Sequence, residues 1–175
     1  MCASRWRSGI APATCWTSDR SMRIRILACG RIREPWQRGA VDEYVRRLSR
    51  FASVDMVEVD DEPDSMPEAR ALREEADRIR NRLRPGERFI LLDVDGESFD
   101  SERFARRLDR WLVEGGAQVT FVIGSSRGVD AGLRREAAGR LSLSPMTLTH
   151  AMARILLLEQ CYRAFRILGG ERYHK

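Results

Sequence analysis

Histidine occurs twice in this chain, at His150 and His174, and both lie in the closing segment Leu141–Lys175. Its ordinary pKa is the one nearest neutrality, so acid/base chemistry run by histidine has to use one of these two. His174 stands between Tyr173 and Lys175 in a polar tail, where it is a candidate to touch a substrate or take a proton from it. His150 follows Thr149 at the start of an apolar helix and reads as a helix-start residue satisfied locally, not as a base. Two further stretches have types and spacing that could do chemistry. Gly124-Ser125-Ser126-Arg127-Gly128 follows an apolar run and precedes a helix, so its glycines can let backbone amides approach a ligand. Asp93-Val94-Asp95-Gly96 ends another apolar run, but Asp-Gly is a common turn pair and no second acidic cluster has ligand spacing. No metal is expected. Neither GxxxxGK[ST] nor GxGxxG is present, which removes a P-loop and an ordinary dinucleotide turn.

These residues must be positioned by an alternating set of elements. Strands are expected at Arg23–Cys29, Val54–Val59, Phe89–Val94 and Val119–Ile123, from short apolar or alternating runs. Helices are expected at Pro35–Phe51, with proline in its first turn, then at Pro67–Leu83, Asp100–Glu114, Asp130–Gly139 and Ala151–Leu168. The acidic stretch Asp60–Met66 reads as a solvated loop. This alternation predicts an α/β fold, a parallel sheet with helices on both faces. Ligands in such sheets bind at the carboxyl ends of the strands, which selects the loops after Val94, Ile123 and Leu143.

With 175 residues, 43% of them hydrophobic, the chain has enough material for one domain. Its formal charge is +5, of which the first 21 residues hold +2 through Arg5, Arg7 and Arg20 against Asp19. That bias permits nucleic-acid contact without requiring it. Lysine occurs once among the 31 basic residues, so the abundance of arginine carries little weight as evidence of phosphate binding. Cys2, Cys15, Cys29 and Cys161 form no CxxC pair, as expected of a reduced, cytoplasmic protein, and no run is long and apolar enough for a membrane span. Residues 1–21 show no periodicity and are expected to be a disordered extension or a mis-assigned start, with the domain running from Met22 to Lys175.

The helix Ala151–Leu168 is apolar around much of its circumference, with Met152, Ile155, Leu156, Leu158, Cys161, Tyr162, Phe165 and Leu168 unable to share one face. Two apolar sides need two partners, and in a domain this small a second copy of the chain is expected to be one of them.

FVIG at 121–124, LSLSPMTLTH at 141–150 and ARILLLEQCYRAFRILGGERYHK at 153–175 resemble the ribosomal large-subunit pseudouridine N3-methyltransferases of the SPOUT superfamily. So do the opening MRIRILACG and the strand FILLDVDG, so that the resemblance spans 22–175. It implies a C-terminal trefoil knot and a bent S-adenosyl-L-methionine held by Leu92, Gly124, Leu143, Ser144, Pro145, Met146, Thr147 and Leu148. It further implies a homodimer acting on 23S rRNA within the ribosome. Transfer to N3 requires loss of an imide proton, for which His174 is the candidate, with Tyr173 stacking or hydrogen-bonding and Lys175 positioning. Arg154 and Arg163 are candidate phosphate contacts from the helix, although Arg163 can also pair with Glu159. Two positions depart from the family pattern: Ser125 replaces a second glycine, and Thr149 stands where proline often precedes the histidine. If position 125 needed a positive φ, serine would cost about 1 kcal/mol there. Another SPOUT enzyme acting on a tRNA base or ribose, or a non-catalytic RNA- or ribosome-binding module, would share the same pocket.

Overall fold

The structure is a computed structural model and describes residues 22–171. Five strands and five helices alternate: β1 Met22–Cys29, α1 Pro35–Leu48, β2 Ala52–Val59, α2 Glu68–Arg80, β3 Ile90–Ser98, α3 Ser101–Glu114, β4 Gln118–Ile123, α4 Ala131–Glu136, β5 Gly139–Ser142 and α5 His150–Leu168. All strand pairs are parallel, in the order β2-β1-β4-β3-β5. Parallel strands need crossover connections, and the helices supplying them cover both faces.

Alternation along β1 decides the layers. Ile24, Ile26 and Ala28 point into one core with Phe121, Ile123, Ile90 and Leu141, under α1, α3 and α5. Leu27 and Cys29 point into the other with Leu91 and Val122, under α2 and α4. The helices start where their sequences provide caps: Asp100 accepts from Arg103 N at 2.7 Å, Asp130 from Gly132 N at 2.8 Å, and Thr149 from Met152 N at 3.3 Å. Buried Arg25 lies on the second face near the strands' starts, pairing with Glu87 at 2.8 Å and Asp55 at 3.2 Å.

Three local readings change. β3 does not stop at Val94. It bulges between Leu92 and Glu97, then rejoins β5, so the expected Asp95-Gly96 turn lies inside a strand. Gly96 is needed there because a Cβ would stand 2.7 Å from the Leu141 carbonyl carbon. The helix expected to reach Gly139 ends at Glu136, and Gly139–Ser142 form β5, after which Leu143–Leu148 are loop.

The third change concerns α5. It packs over the sheet with α1 and α3 as helical neighbours, and Ala151, Ile155, Leu157, Leu158, Cys161, Tyr162, Ala164 and Phe165 are buried within a single chain. Its second apolar side therefore has a partner inside the protomer and does not by itself call for a second copy.

α5 also runs against the strands. Its first residue, His150, lies against Gly30 just past the end of β1, whereas Phe165 stacks on Phe51, immediately before β2, with centroids 5.4 Å apart. The two ends of the helix thus lie at opposite edges of the sheet.

Candidate active site

Strand register brings the three selected loops together. Leu92 is paired with Ile123 on one side and with Leu141 on the other, so the chain leaving β3, β4 and β5 does so side by side. Leu92, Gly124 and Leu143–Leu148 therefore gather at one edge, although they come from separate parts of the sequence.

Gly124 is fixed by space. A Cβ on it would meet Gly128 O at 2.3 Å and Val129 Cγ2 at 2.5 Å, because the loop folds straight back on itself. Gly128 N donates to Ser125 O at 3.1 Å, and Gly128 takes the positive φ, +98°. Among the described residues Ala117 is the non-glycine with positive φ, so Ser125 carries no left-handed strain and the departure from a second glycine costs nothing of that kind. Arg127 anchors the loop by donating to Met66 O at 3.1 Å and Pro63 O at 2.8 Å.

The run after β5 is a hydrogen-bonded turn. Ser142 Oγ donates to Ser144 O at 3.1 Å, and Met146 N donates to Ser144 Oγ at 3.0 Å. Leu143 and Leu148 pack on the core, while Pro145, Met146 and Thr147 are exposed. The edge thus offers apolar side chains and turn backbone around a glycine floor. Such a lining suits a flat, partly apolar ligand, with leucines able to cover a ring and main-chain groups able to read its edge.

Asp93, next to Leu92, has a role the sequence did not reveal. Its side chain is 3% exposed, approached by Arg134 Nε at 3.1 Å and by Arg140 Nη1 at 3.5 Å, and it accepts from Asp95 N at 3.2 Å. It ties α4 and β5 to β3, beside the loops that follow β4 and β5. The Asp-x-Asp-Gly pattern drew attention to the residue, but its arginine partners lie more than 40 positions away and nothing local marks them. No group of three or more potential metal ligands occurs among the described residues.

Arg154 requires a correction. It is fully buried, donating to Glu58 at 2.8 Å, to Cys29 O at 2.9 Å and to Gly30 O, with Nη2 3.2 Å from His150 Nδ1. Every direction in which it could meet a phosphate is occupied by protein, so it fastens the chain after β1 to α5. Burial lowers its pKa, opposed by Glu58. His150 is held by this guanidinium, where a locally satisfied helix-start residue was expected; Nδ1 accepts, leaving the proton on Nε2. Burial, then the Arg154 charge, pull its pKa down, so it is neutral at pH 7. Burial pushes the thiol of Cys29, beside the same guanidinium, up to about 12.

Arg163 pairs with Glu159 along the helix, Nη2 to Oε1 at 2.6 Å. Tyr173, His174 and Lys175 lie outside the described residues, and the structure does not place them.

A family model described as "Predicted SPOUT methyltransferase" matches residues 22–174. The chain belongs to the SPOUT methyltransferase family. In Acetivibrio thermocellus, "Ribosomal RNA large subunit methyltransferase H" is 43% identical over 159 residues, covering 88% of this chain and 100% of that one. The enzyme of the same name from an Anaeromyxobacter species is 44% identical over 154 residues, with 88% and 100% coverage. The structure of a probable methyltransferase from Bordetella pertussis shares the fold at TM-score 0.50 and 21% identity, covering 82% of this chain and 94% of that one. S-adenosyl-L-methionine, expected from the closing motifs, is the methyl donor of this SPOUT family.

Proposed function

We propose that this protein methylates N3 of a pseudouridine in 23S rRNA of the assembled ribosome, using S-adenosyl-L-methionine, as a cytoplasmic homodimer. The observation carrying this reading is the convergence of Leu92, Gly124 and Leu143–Leu148 at one sheet edge, in a chain of which 88% is matched by a large-subunit rRNA methyltransferase over that relative's whole length. Among the described residues no helix is long and apolar enough to cross a membrane.

When bound, the cofactor supplies a sulfonium methyl that is already electrophilic. The protein's work is to align N3 with that methyl and shed water around it. Leu92, Gly124 and Leu143–Leu148 would hold this group so that its methyl could pass to N3 as the imide proton leaves. His174 is the proposed acceptor of the imide proton, with Tyr173 holding the base.

The direction of α5 supports the dimer. Its 19 residues carry the chain roughly 27 Å away from the edge with the cofactor loops. The stretch from Gly169 to His174 can return only about 20 Å when fully extended. A tail that acts on substrate is therefore better placed to serve the loops of a partner lying antiparallel to its own α5. The return of α5 from edge strand β5 to a place between α1 and α3 likewise supports the threaded, knotted path expected of the closing segment.

The test is transfer of labelled methyl from S-adenosyl-L-methionine to ribosomes lacking the modification, followed by mapping. Label on N3 of one pseudouridine of 23S rRNA is the expected result. Label confined to tRNA or to ribose hydroxyls, or no label, would reject the reading.

A further inference from the structure

The sheet edge opposite the cofactor loops has its own concentration of chemistry. Where α1 and α5 end, Arg47, Arg50 and Arg166 converge around Tyr162, whose ring lies 5.9 Å from the Arg47 guanidinium carbon, 5.8 Å from that of Arg50 and 5.7 Å from that of Arg166. Carboxylates balance these charges only in part. Arg46 and Arg47 share Glu43, Arg166 pairs with Glu171, and Arg50 has no carboxylate partner among the described residues.

Arg50 is instead laid over the Phe51 ring at 4.9 Å, with Nη2 3.2 Å from Tyr162 Oη. A guanidinium held over an aromatic ring and bonded to a tyrosine hydroxyl is partly ordered before any ligand arrives, and arginine's N–H groups match a phosphate. Beside it opens a concavity of about 380 Å³, lined by Val45, Ser49, Arg50, Phe51, Ser53 and Val54. That volume falls within the range of small-ligand sites, enough for a nucleotide unit.

We propose that this concavity is an RNA subsite, in which Arg50, supported by Arg47, grips a backbone phosphate of the substrate strand away from the methylated base. It deepens the reading of an RNA substrate and rests on it. In an antiparallel dimer this edge of one protomer borders the partner's cofactor loops, so a strand entering that site would cross the arginines. The excess charge and pre-ordered guanidinium fit a polyanion better than a second copy of a chain that is itself cationic.

The experiment compares the full-length protein with Arg50→Glu, Arg50→Lys and Ser53→Glu in methyl transfer to unmodified ribosomes across a salt series. Ser53→Glu sets a carboxylate in the concavity without touching the aromatic stack. Expected are a rise of about tenfold in ribosome KM for both glutamate variants, with kcat and cofactor affinity unchanged. The slope of log KM against log salt should fall by about one for Arg50→Glu, and Arg50→Lys should retain most of the affinity. An unchanged KM in Ser53→Glu together with a folded Arg50→Glu would overturn the proposal. So would dissociation of either variant to monomers by light scattering, which would make the concavity a contact between copies. If the unsubstituted protein itself methylates no ribosomes, the RNA-methyltransferase reading fails, a result distinct from either of these.

Discussion

At its first turns α5 hides its cation, and at its last turns it displays several. Arg154 is 0% exposed and spends its hydrogen bonds on Glu58 and the carbonyls after β1. Arg163 and Arg166, on the same helix, keep 28% and 22% of their side chains exposed beside the arginines of α1. One residue type, on one amphipathic pattern, does two jobs. The difference lies in what surrounds each end: backbone carbonyls of a crossing strand at one, aromatic rings and solvent at the other. The loops proposed to hold the cofactor lie near the first end, and the chain leaves α5 at the second.

Removing the buried cation should have the largest effect. Arg154→Ala leaves two carbonyls and Glu58 without their donor and is expected to cost about 3–5 kcal/mol, read from denaturant unfolding. Arg163→Ala should cost less than about 1 kcal/mol, because a helical i, i+4 pair at the surface contributes little. Similar losses at both positions would erase the contrast between the two ends.

Next comes the glycine floor of the cofactor edge. A methyl at Gly124 would press on the Gly128 carbonyl, so Gly124→Ala should weaken S-adenosyl-L-methionine binding by at least about tenfold in calorimetry, about 1.4 kcal/mol. Ser125→Gly, where φ is not positive, should change that affinity little. Behind the same edge, Asp93→Asn loosens the hold on Arg134 and Arg140 and is expected to cost about 1–2 kcal/mol of stability, with a smaller loss of cofactor affinity.

The smallest effect is a pH dependence. The folded-state pKa of His150 is depressed, so between it and the unfolded value near 6.5 the unfolded chain binds more protons. The neutral imidazole's contribution is present above pH 6.5 and is lost as pH falls through that window. His150→Gln should flatten the fall in stability over the same range, measured as unfolding midpoints against pH.

Much of this could be read from the residues. Alternation in Arg23–Cys29 and the apolar runs Phe89–Val94 and Val119–Ile123 pointed to the parallel sheet, and the rule that ligands gather at strand ends picked neighbouring loops. Thr149 and Asp100 marked helix starts because capping is a local interaction. What stayed hidden was non-local. Arg154 meets carbonyls 124 and 125 positions away, so a helical pattern shows only an arginine on an apolar helix. Likewise the crowding at Gly96 comes from the backbone of β5, and the second partner of α5 comes from another part of the same chain.

The claim that the two ends of α5 serve different protomers has a direct measurement. Gly124→Ala, impaired at the cofactor loops, and His174→Ala, impaired in the tail, are each assayed for methyl transfer to unmodified ribosomes, then unfolded together, refolded and assayed again. The account predicts two weakly active parents and a mixture that regains substantial activity, because a mixed dimer contains one site with an intact loop set and the partner's intact tail. A mixture that forms mixed dimers yet stays as inactive as its parents would contradict it.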